Sequence, residues 1–346
     1  MILLEPMLRP TTKDLAKAAG VSRATVDRVL NERDGVKQDT VERVHKAIEA
    51  IGFERNIQAA NLAKSQSYRF IFALPRSGDQ FLQEIIKRID EARSLFASDQ
   101  IWCDVHQIDE NDPHSIATYL SSLDKSQVAG VAIMAPETPQ VRDAIRRVQE
   151  RGVAALPFIS NQTTMDANWV GIDNRAAGAT AGLLMGQFIG QKPGAIMVIA
   201  ESMQSRDSLE RRLGFDQEIN EGFAQLRALP SLETYANEDR ARTIIAASLR
   251  ANPDIVGIYV MASEARSPLS ILKDLNIAQS IVKIAHERTP FTEHELKAKM
   301  LHGLIAQDPG HLVRSAIRRL KGMVDRRQTF GSQEQIRIEI LLRTNI

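Results

Sequence analysis

The sequence predicts a small all-α N-terminal unit built on a helix-turn-helix, followed by a large α/β unit of two doubly wound parallel sheets. Three observations carry this. Residues 11–31 hold two short amphipathic segments around an Ala-Gly-Val-Ser turn. From Tyr68 onward, short apolar runs alternate with amphipathic segments, as strands and crossover helices do in parallel sheets. That alternation also runs too long for one such sheet, so two are expected.

In the N-terminal unit, Thr12 is the expected N-cap of the first helix, with Leu15, Ala16 and Ala19 on one face. Gly20 supplies a turn position free of Cβ strain. Ser22 is expected to cap the second helix, on which Val26, Val29 and Leu30 form another stripe. Arg23, Ala24, Thr25 and Arg28 then lie at its start and on its outer side. A recognition helix presents side chains to base edges and phosphates from there. A third helix is expected after Lys37-Gln38-Asp39-Thr40, with Val41, Val44, Ile48 and Ile51 at helical spacing and Gly52 at its end. Leu15, Val21, Val26, Val29, Val44 and Ile48 form the expected core. From Arg9 to Lys64 there are eleven Lys or Arg and eight Asp or Glu, a local excess of three that permits phosphate contacts. The whole-chain charge of +1 says nothing by itself about nucleic acid.

A plain helical hairpin can show the same turn, but the longer string is more specific. Asp14-Leu15-Ala16, Ala19-Gly20-Val21-Ser22 and Thr25-Val26-Asp27-Arg28-Val29-Leu30-Asn31 closely resemble the headpiece of the lactose-repressor (LacI/GalR) family. Asp27 stands where that family usually has Ser. Phosphate repels a carboxylate, so Asp27 either points away from DNA or pairs with Arg23 or Arg28. Next, Phe53 to Lys64 resembles the family's hinge helix, with Asn56, Ala59 and Leu62 in register and Arg55 in place of a Pro. In the family this helix forms against its dimer mate and pushes the Leu into the minor groove, an apolar wedge that kinks DNA. Without the resemblance the segment reads as a linker into Ser65-Gln66-Ser67. The resemblance implies DNA contacts from Thr12, Ser22, Arg23, Ala24, Thr25, Arg28, Asn31, Asn56, Ala59 and Leu62.

In the α/β part, the expected strands are Phe70–Leu74, Cys103–Ile108, Val128–Met134, Val153–Ile159, Ala195–Ala200, Ile255–Met261, Ile281–Ala285 and Leu304–Gln307, with a late strand in Ile336–Leu342. Helical patterns between them include Phe81–Ala97, His114–Leu123, Pro139–Arg151, Ala176–Ile189, Leu209–Phe223, Arg240–Arg250 and His311–Val324. Behind such a headpiece, two sheets resemble the family's effector domain, which is similar to type I periplasmic sugar-binding proteins, with two lobes and a cleft between them. Local matches are Val170-Gly171-Ile172-Asp173-Asn174, Arg211-Arg212-Leu213-Gly214-Phe215 and Ala306-Gln307-Asp308-Pro309. The implied organisation is a headpiece over residues 9–55, a hinge helix and linker over 56–67, and a two-lobed effector-binding and dimerisation domain over 68–346.

Ligands of open α/β folds sit beyond the carboxyl ends of strands. The resemblance places Phe81, Ser160, Asn161, Arg211, Glu287 and Gln307 there as effector-binding candidates. Read singly, Phe81 also suits a core, Arg211 a solvated helix face and Gln307 a crossover hydrogen bond. Asp173-Asn174 reads as a helix cap. Ala262-Ser263-Glu264 replaces the family's common Asn-Asp, and Glu287 its usual Asp, so the resemblance leaves the identity of the ligand open. A carbohydrate or polyol is the expected class.

Other functions find little support. No Gly-x-Gly-x-x-Gly, phosphate-binding Gly-Lys-Ser/Thr loop or Gly-x-Ser-x-Gly elbow occurs, and the seven histidines lack zinc-helix spacing. No catalytic residue, metal or cofactor is expected. Cys103 is the single cysteine, so no intrachain disulfide forms, which fits a reducing cytoplasm. The opening Met-Ile-Leu-Leu-Glu-Pro-Met-Leu is too short for a signal peptide, and no apolar run is long enough for a membrane span. The expected protein is a cytoplasmic homodimer, or a tetramer, that binds a pseudo-palindromic double-stranded operator under control of a small molecule. The rival readings are a solute-binding protein or an α/β enzyme with a fortuitous helical N-terminus.

Overall fold

The computed structural model describes residues 10–30, 35–53, 67–76, 78–162, 169–327 and 334–346. The chain divides into two compact units, residues 1–66 and 67–346.

In the first unit the helices are α1 (Thr12–Ala19), α2 (Arg23–Leu30) and α3 (Gln38–Ile51). The cap of α1 is Thr11 and not Thr12. Thr11 Oγ1 accepts from Asp14 N at 3.3 Å and Thr11 N donates to Asp14 Oδ2 at 2.8 Å. A capping box needs an acceptor three residues on, and from Thr12 that position is the apolar Leu15. Gly20 adopts φ 63 and ends α1 in the left-handed region, as the tight turn requires. Ser22 Oγ then accepts from Thr25 N at 3.1 Å and starts α2. Arg43 of α3 donates from Nη2 to the carbonyls of Ala19 and Gly20, both at 3.1 Å, tying the turn to the third helix. Leu15, Val26, Val29 and Val44 are buried, while Val21 and Ile48 pack partly buried against them.

The second unit has two lobes. The first contains β1 (Tyr68–Pro75), α4 (Gln80–Leu95), β2 (Ile101–Ile108), α5 (Pro113–Ser122), β3 (Gly130–Ile133), α6 (Pro139–Glu150) and β4 (Ala154–Pro157). Its parallel sheet has the order β2-β1-β3-β4. The chain then builds the second lobe from α7 (Asn174–Ile189), β5 (Gly194–Ala200), α8 (Arg206–Gly222), β6 (Leu226–Ala228), β7 (Leu232–Glu233), α9 (Glu238–Ala251), β8 (Ile255–Val260), α10 (Arg266–Asp274), β9 (Val282–His286), α11 (Pro290–Lys297) and β10 (Gly303–Ala306). It returns to the first lobe as α12 (Pro309–Val324), which packs on α4, β1, β3 and β4. It crosses back to add β11 (Glu339–Leu341), antiparallel to β10. The second sheet runs β11-β10-β9-β8-β5-β6, with β7 also beside β5.

Strand order reverses between β1 and β3 in one lobe and between β5 and β8 in the other. Those are the switch points where open α/β sheets leave a crevice at their carboxyl ends. The crevices meet between the lobes. Close packing of α7 on α8 fixes one wall. A Cβ added at Gly178 would lie 1.9 Å from Arg211 O, and one at Gly214 would lie 1.9 Å from Arg175 O. Glycine at these positions lets the two backbones approach.

Candidate functional site

On the first unit, α2 exposes Arg23, Ala24, Asp27 and Arg28, while Val26 and Val29 face the core. Ser22 and Thr25 are engaged with each other, Oγ to Oγ1 at 2.9 Å, so both hydroxyls serve the start of the helix. Thr12 is the first residue of α1, half-buried beside the exposed Thr11. Asn31, Asn56, Ala59 and Leu62 lie outside the described residues.

In the cleft, Arg211 projects from α8 and is 6% exposed. All three guanidinium nitrogens are engaged. Nε donates to Asn174 Oδ1 at 2.8 Å, Nη1 to Met261 O at 2.9 Å and Nη2 to Glu287 Oε1 at 3.1 Å. Glu287 follows β9 and adopts φ 63, a left-handed position unusual for a residue with a Cβ. Gln307 follows β10 and donates from Nε2 to the same Glu287 oxygen at 3.1 Å. Arg211, Glu287 and Gln307 thus converge. Burial pushes the Glu287 carboxyl up to about 7, against the pull of Arg211 and of the Gln307 and Arg211 hydrogen bonds. Among the described residues its Oε2 and Gln307 Oε1 have no hydrogen-bond partner.

The other candidates divide. Ser160 Oγ donates across the cleft to Asp207 Oδ2 at 2.8 Å. Asn161 is buried, and its Oδ1 accepts from Gln162 N at 2.7 Å. Phe81 is 2% exposed and belongs to the apolar cluster shared by the two lobes. Asp173 caps α7 through Ala176 N at 2.9 Å, as its sequence context suggests, whereas Asn174 holds Arg211.

Of the residues that close the lobes on each other, the sequence marked only Ser263 and Glu264, as a departure from the family pattern. Ser263 Oγ donates to Asp79 Oδ2 at 2.5 Å, Gln80 N to Glu264 Oε2 at 3.3 Å and Arg206 Nη1 to Glu137 Oε2 at 3.4 Å. Behind the site, His286 Nε2 meets the Tyr259 hydroxyl at 2.7 Å. Burial, helped by Arg211, holds the His286 pKa well below its ordinary value, so the ring is neutral. Among the described residues no group of three or more His, Cys, Asp or Glu is arranged to hold a metal ion. Nor is any helix among them long and apolar enough to cross a membrane.

Fold and site together define a two-lobed binding protein fused behind a helix-turn-helix. The chain belongs to the periplasmic binding protein domain family, which it matches over residues 70–328, and residues 11–56 match the bacterial regulatory proteins of the lacI family. It is 34% identical over 133 residues to the HTH-type transcriptional regulator RegA of Clostridium saccharobutylicum, covering 38% of each chain. It is 30% identical over 130 residues to the HTH-type transcriptional repressor PurR of Haemophilus influenzae (strain PittEE), again 38% of each. The matched stretch therefore spans well under half of either relative. Among solved structures, a periplasmic solute-binding protein of Actinobacillus succinogenes with bound D-allose superposes with a TM-score of 0.71 at 14% identity, covering 81% of this chain and 99% of that one.

Proposed function

We propose that the protein is a sequence-specific transcriptional regulator whose affinity for its operator is set by a small molecule held between the lobes. The observation that carries this is the joining, in one chain, of a LacI-type headpiece to a cleft whose buried Arg211–Glu287–Gln307 group keeps unsatisfied acceptors. Buried acceptors without donors are costly, so a ligand rich in hydroxyl donors suits the site. Together with the sugar carried by the solute-binding relative, this supports a sugar or polyol.

The chain acts in the cytoplasm as a homodimer on a pseudo-palindromic operator, because two-fold protein symmetry asks for two-fold DNA. In this reading Arg23 and Ala24 face bases, with Thr12, Ser22, Thr25, Arg28 and Asn31 around them. Asn56, Ala59 and Leu62 form the hinge. Effector binding favours one lobe arrangement and shifts operator affinity through that difference. The role is binding and not catalysis.

A thermal-shift screen of sugars, polyols and sugar phosphates tests the cleft, since a ligand of the folded state raises its unfolding midpoint. A hit that is lost in Arg211→Ala supports the reading. A hit unaffected by that change removes Arg211 from the site.

A further inference from the structure

The chain passes between the lobes three times, from β4 to α7, from β10 to α12 and from α12 to β11. Helix α12 holds all three passages. Arg319 Nη1 donates to Trp169 O, in the first, at 3.0 Å. The second is the helix's own start, where Asp308 Oδ1 accepts from Gly310 N at 2.7 Å and His311 N at 3.1 Å. In the third, Arg318 donates to Glu334 from Nε at 2.7 Å and from Nη2 at 3.1 Å, and the Glu334 side chain is 3% exposed. A two-pronged pair of this kind fixes geometry as well as adding energy. Any change in the angle between the lobes therefore bears on α12.

The two ends of α12 meet different parts of the molecule. Its sixteen residues span about 24 Å at the α-helical rise. At one end Gln307 directly precedes the cap and donates to Glu287 in the cleft. At the other, the Tyr68 hydroxyl donates to Asp325 Oδ1 at 2.6 Å. Lys321 Nζ donates to Asp325 Oδ2 at 2.6 Å and lies 4.6 Å from the Tyr68 ring centre. Tyr68 is 1% exposed and is the second residue of its unit, so it stands where the chain enters from the N-terminal unit. An acid at a helix C-terminus is opposed by the helix dipole. Asp325 thus gains from Tyr68 and Lys321 what the helix end denies it.

We propose that α12 carries the state of the cleft to the point where the chain enters from the N-terminal unit, with Tyr68, Lys321 and Asp325 as positioning residues for the regulatory response. Donors reaching Glu287 Oε2 and Gln307 Oε1 change how the start of α12 is held. The helix shifts as one body against the sheet, as packed helices do when domains close. Tyr68, gripped at the far end, shifts with it and redirects the linker that enters at Ser67. This rests on the regulator reading and names the part of the fold that couples its two sites.

A double-mutant cycle on the full chain tests it, with a substitution standing in for cleft occupancy. The probe is the tightest duplex that the wild type selects from a randomised pool. Its affinity is measured for wild type, Gln307→Ala, Tyr68→Phe and the double variant, alongside each unfolding midpoint. Asp325→Asn in place of Tyr68→Phe gives a second cycle. Residues this far apart normally act independently. The expected result is an affinity for the double variant that departs about fivefold or more from the product of the single effects, in both cycles. A merely structural role lowers the midpoints and leaves the affinities multiplicative. Multiplicative affinities, including no effect of Gln307→Ala at all, overturn the coupling through α12 and leave the regulator reading standing. Failure of the wild type to select any duplex over random DNA overturns the regulator reading, and this proposal with it.

Discussion

Arg211 and Glu287, 76 residues apart in the chain, meet through one hydrogen bond of 3.1 Å, and the second Glu287 oxygen has no partner among the described residues. The pair is buried on both sides, with side-chain exposures of 7% and 1%. A solvated helix charge, the plain reading of Arg211 from sequence, does not fit that geometry. Arg211 clamps a half-satisfied carboxylate, and in the proposed function a ligand supplies the remaining donors.

Breaking this pair from one side should be expensive. Arg211→Ala leaves Glu287 buried without its cation and should cost about 3–5 kcal/mol, less whatever protonation of Glu287 relieves. Pairing Arg211→Met with Glu287→Gln should recover much of that stability but none of the ligand affinity. Thermal unfolding and calorimetry on both variants read the two effects separately. Full ligand affinity in the double variant would remove the pair from the site.

Glu287 should also make ligand-free stability depend on pH. Its carboxyl titrates near 4.5 when unfolded and at about 7 when folded, chiefly because it is buried. Between those values the folded protein binds a proton that the unfolded chain does not. Its contribution is therefore fully present below about 4.5 and declines as pH rises towards about 7. Asp79 and Arg211 are the charged groups facing it, and they persist in Glu287→Gln. Subtracting the pH–stability curve of Glu287→Gln from that of the wild type isolates the effect, expected to be a few kcal/mol across the window. A flat difference would place the Glu287 pKa at its ordinary value.

The α7–α8 contact should not tolerate side chains. Gly178→Ala and Gly214→Ala each bring a Cβ to 1.9 Å from a backbone carbonyl oxygen of the facing helix. Each should cost about 1–3 kcal/mol through overpacking. Gly178→Ala should also weaken ligand binding, because the helix it displaces carries Arg211. Gly222→Ala, where the nearest atom is a Glu218 side-chain oxygen at 3.5 Å, should be close to neutral. Equal midpoints for all three variants would show that the helices pack less tightly than described.

The recognition helix offers an independent check. Arg23→Ala should cost about 1–3 kcal/mol on cognate DNA and relax specificity at one base. Equal weakening on cognate and random duplexes would make Arg23 a phosphate contact instead.

How much of this could be read in advance depends on whether local spacing carried it. The turn around Gly20 and Ser22 is local, so it was legible, although the cap moved from Thr12 to Thr11 because only Thr11 has a carboxylate three residues on. The strand–helix alternation gave both sheets, with ends shifted, as where Val128–Met134 shortened to Gly130–Ile133 and Ile336–Leu342 to Glu339–Leu341. The sequence pattern did not announce α11, whose apolar side chains besides Pro290 are only Phe291 and Leu296, nor β6 and β7, which are too short to show a period. Arg211, Glu287 and Gln307 were reached through family-like motifs. Asn174 lies inside one such motif but reads there as a helix cap, and its bond to Arg211 is not visible in local spacing. Only the folded chain brings those two residues together.

The central claim is that one chain couples the cleft to DNA. The most direct measurement selects duplexes from a randomised pool with the full-length protein. The operator affinity of the best duplex is then titrated with and without the strongest cleft ligand from the thermal screen. The account predicts enrichment of a two-fold symmetric site and a ligand-dependent change of roughly 5- to 150-fold, absent in Arg211→Ala. No symmetric enrichment, or an affinity that the bound ligand leaves unchanged, would contradict it.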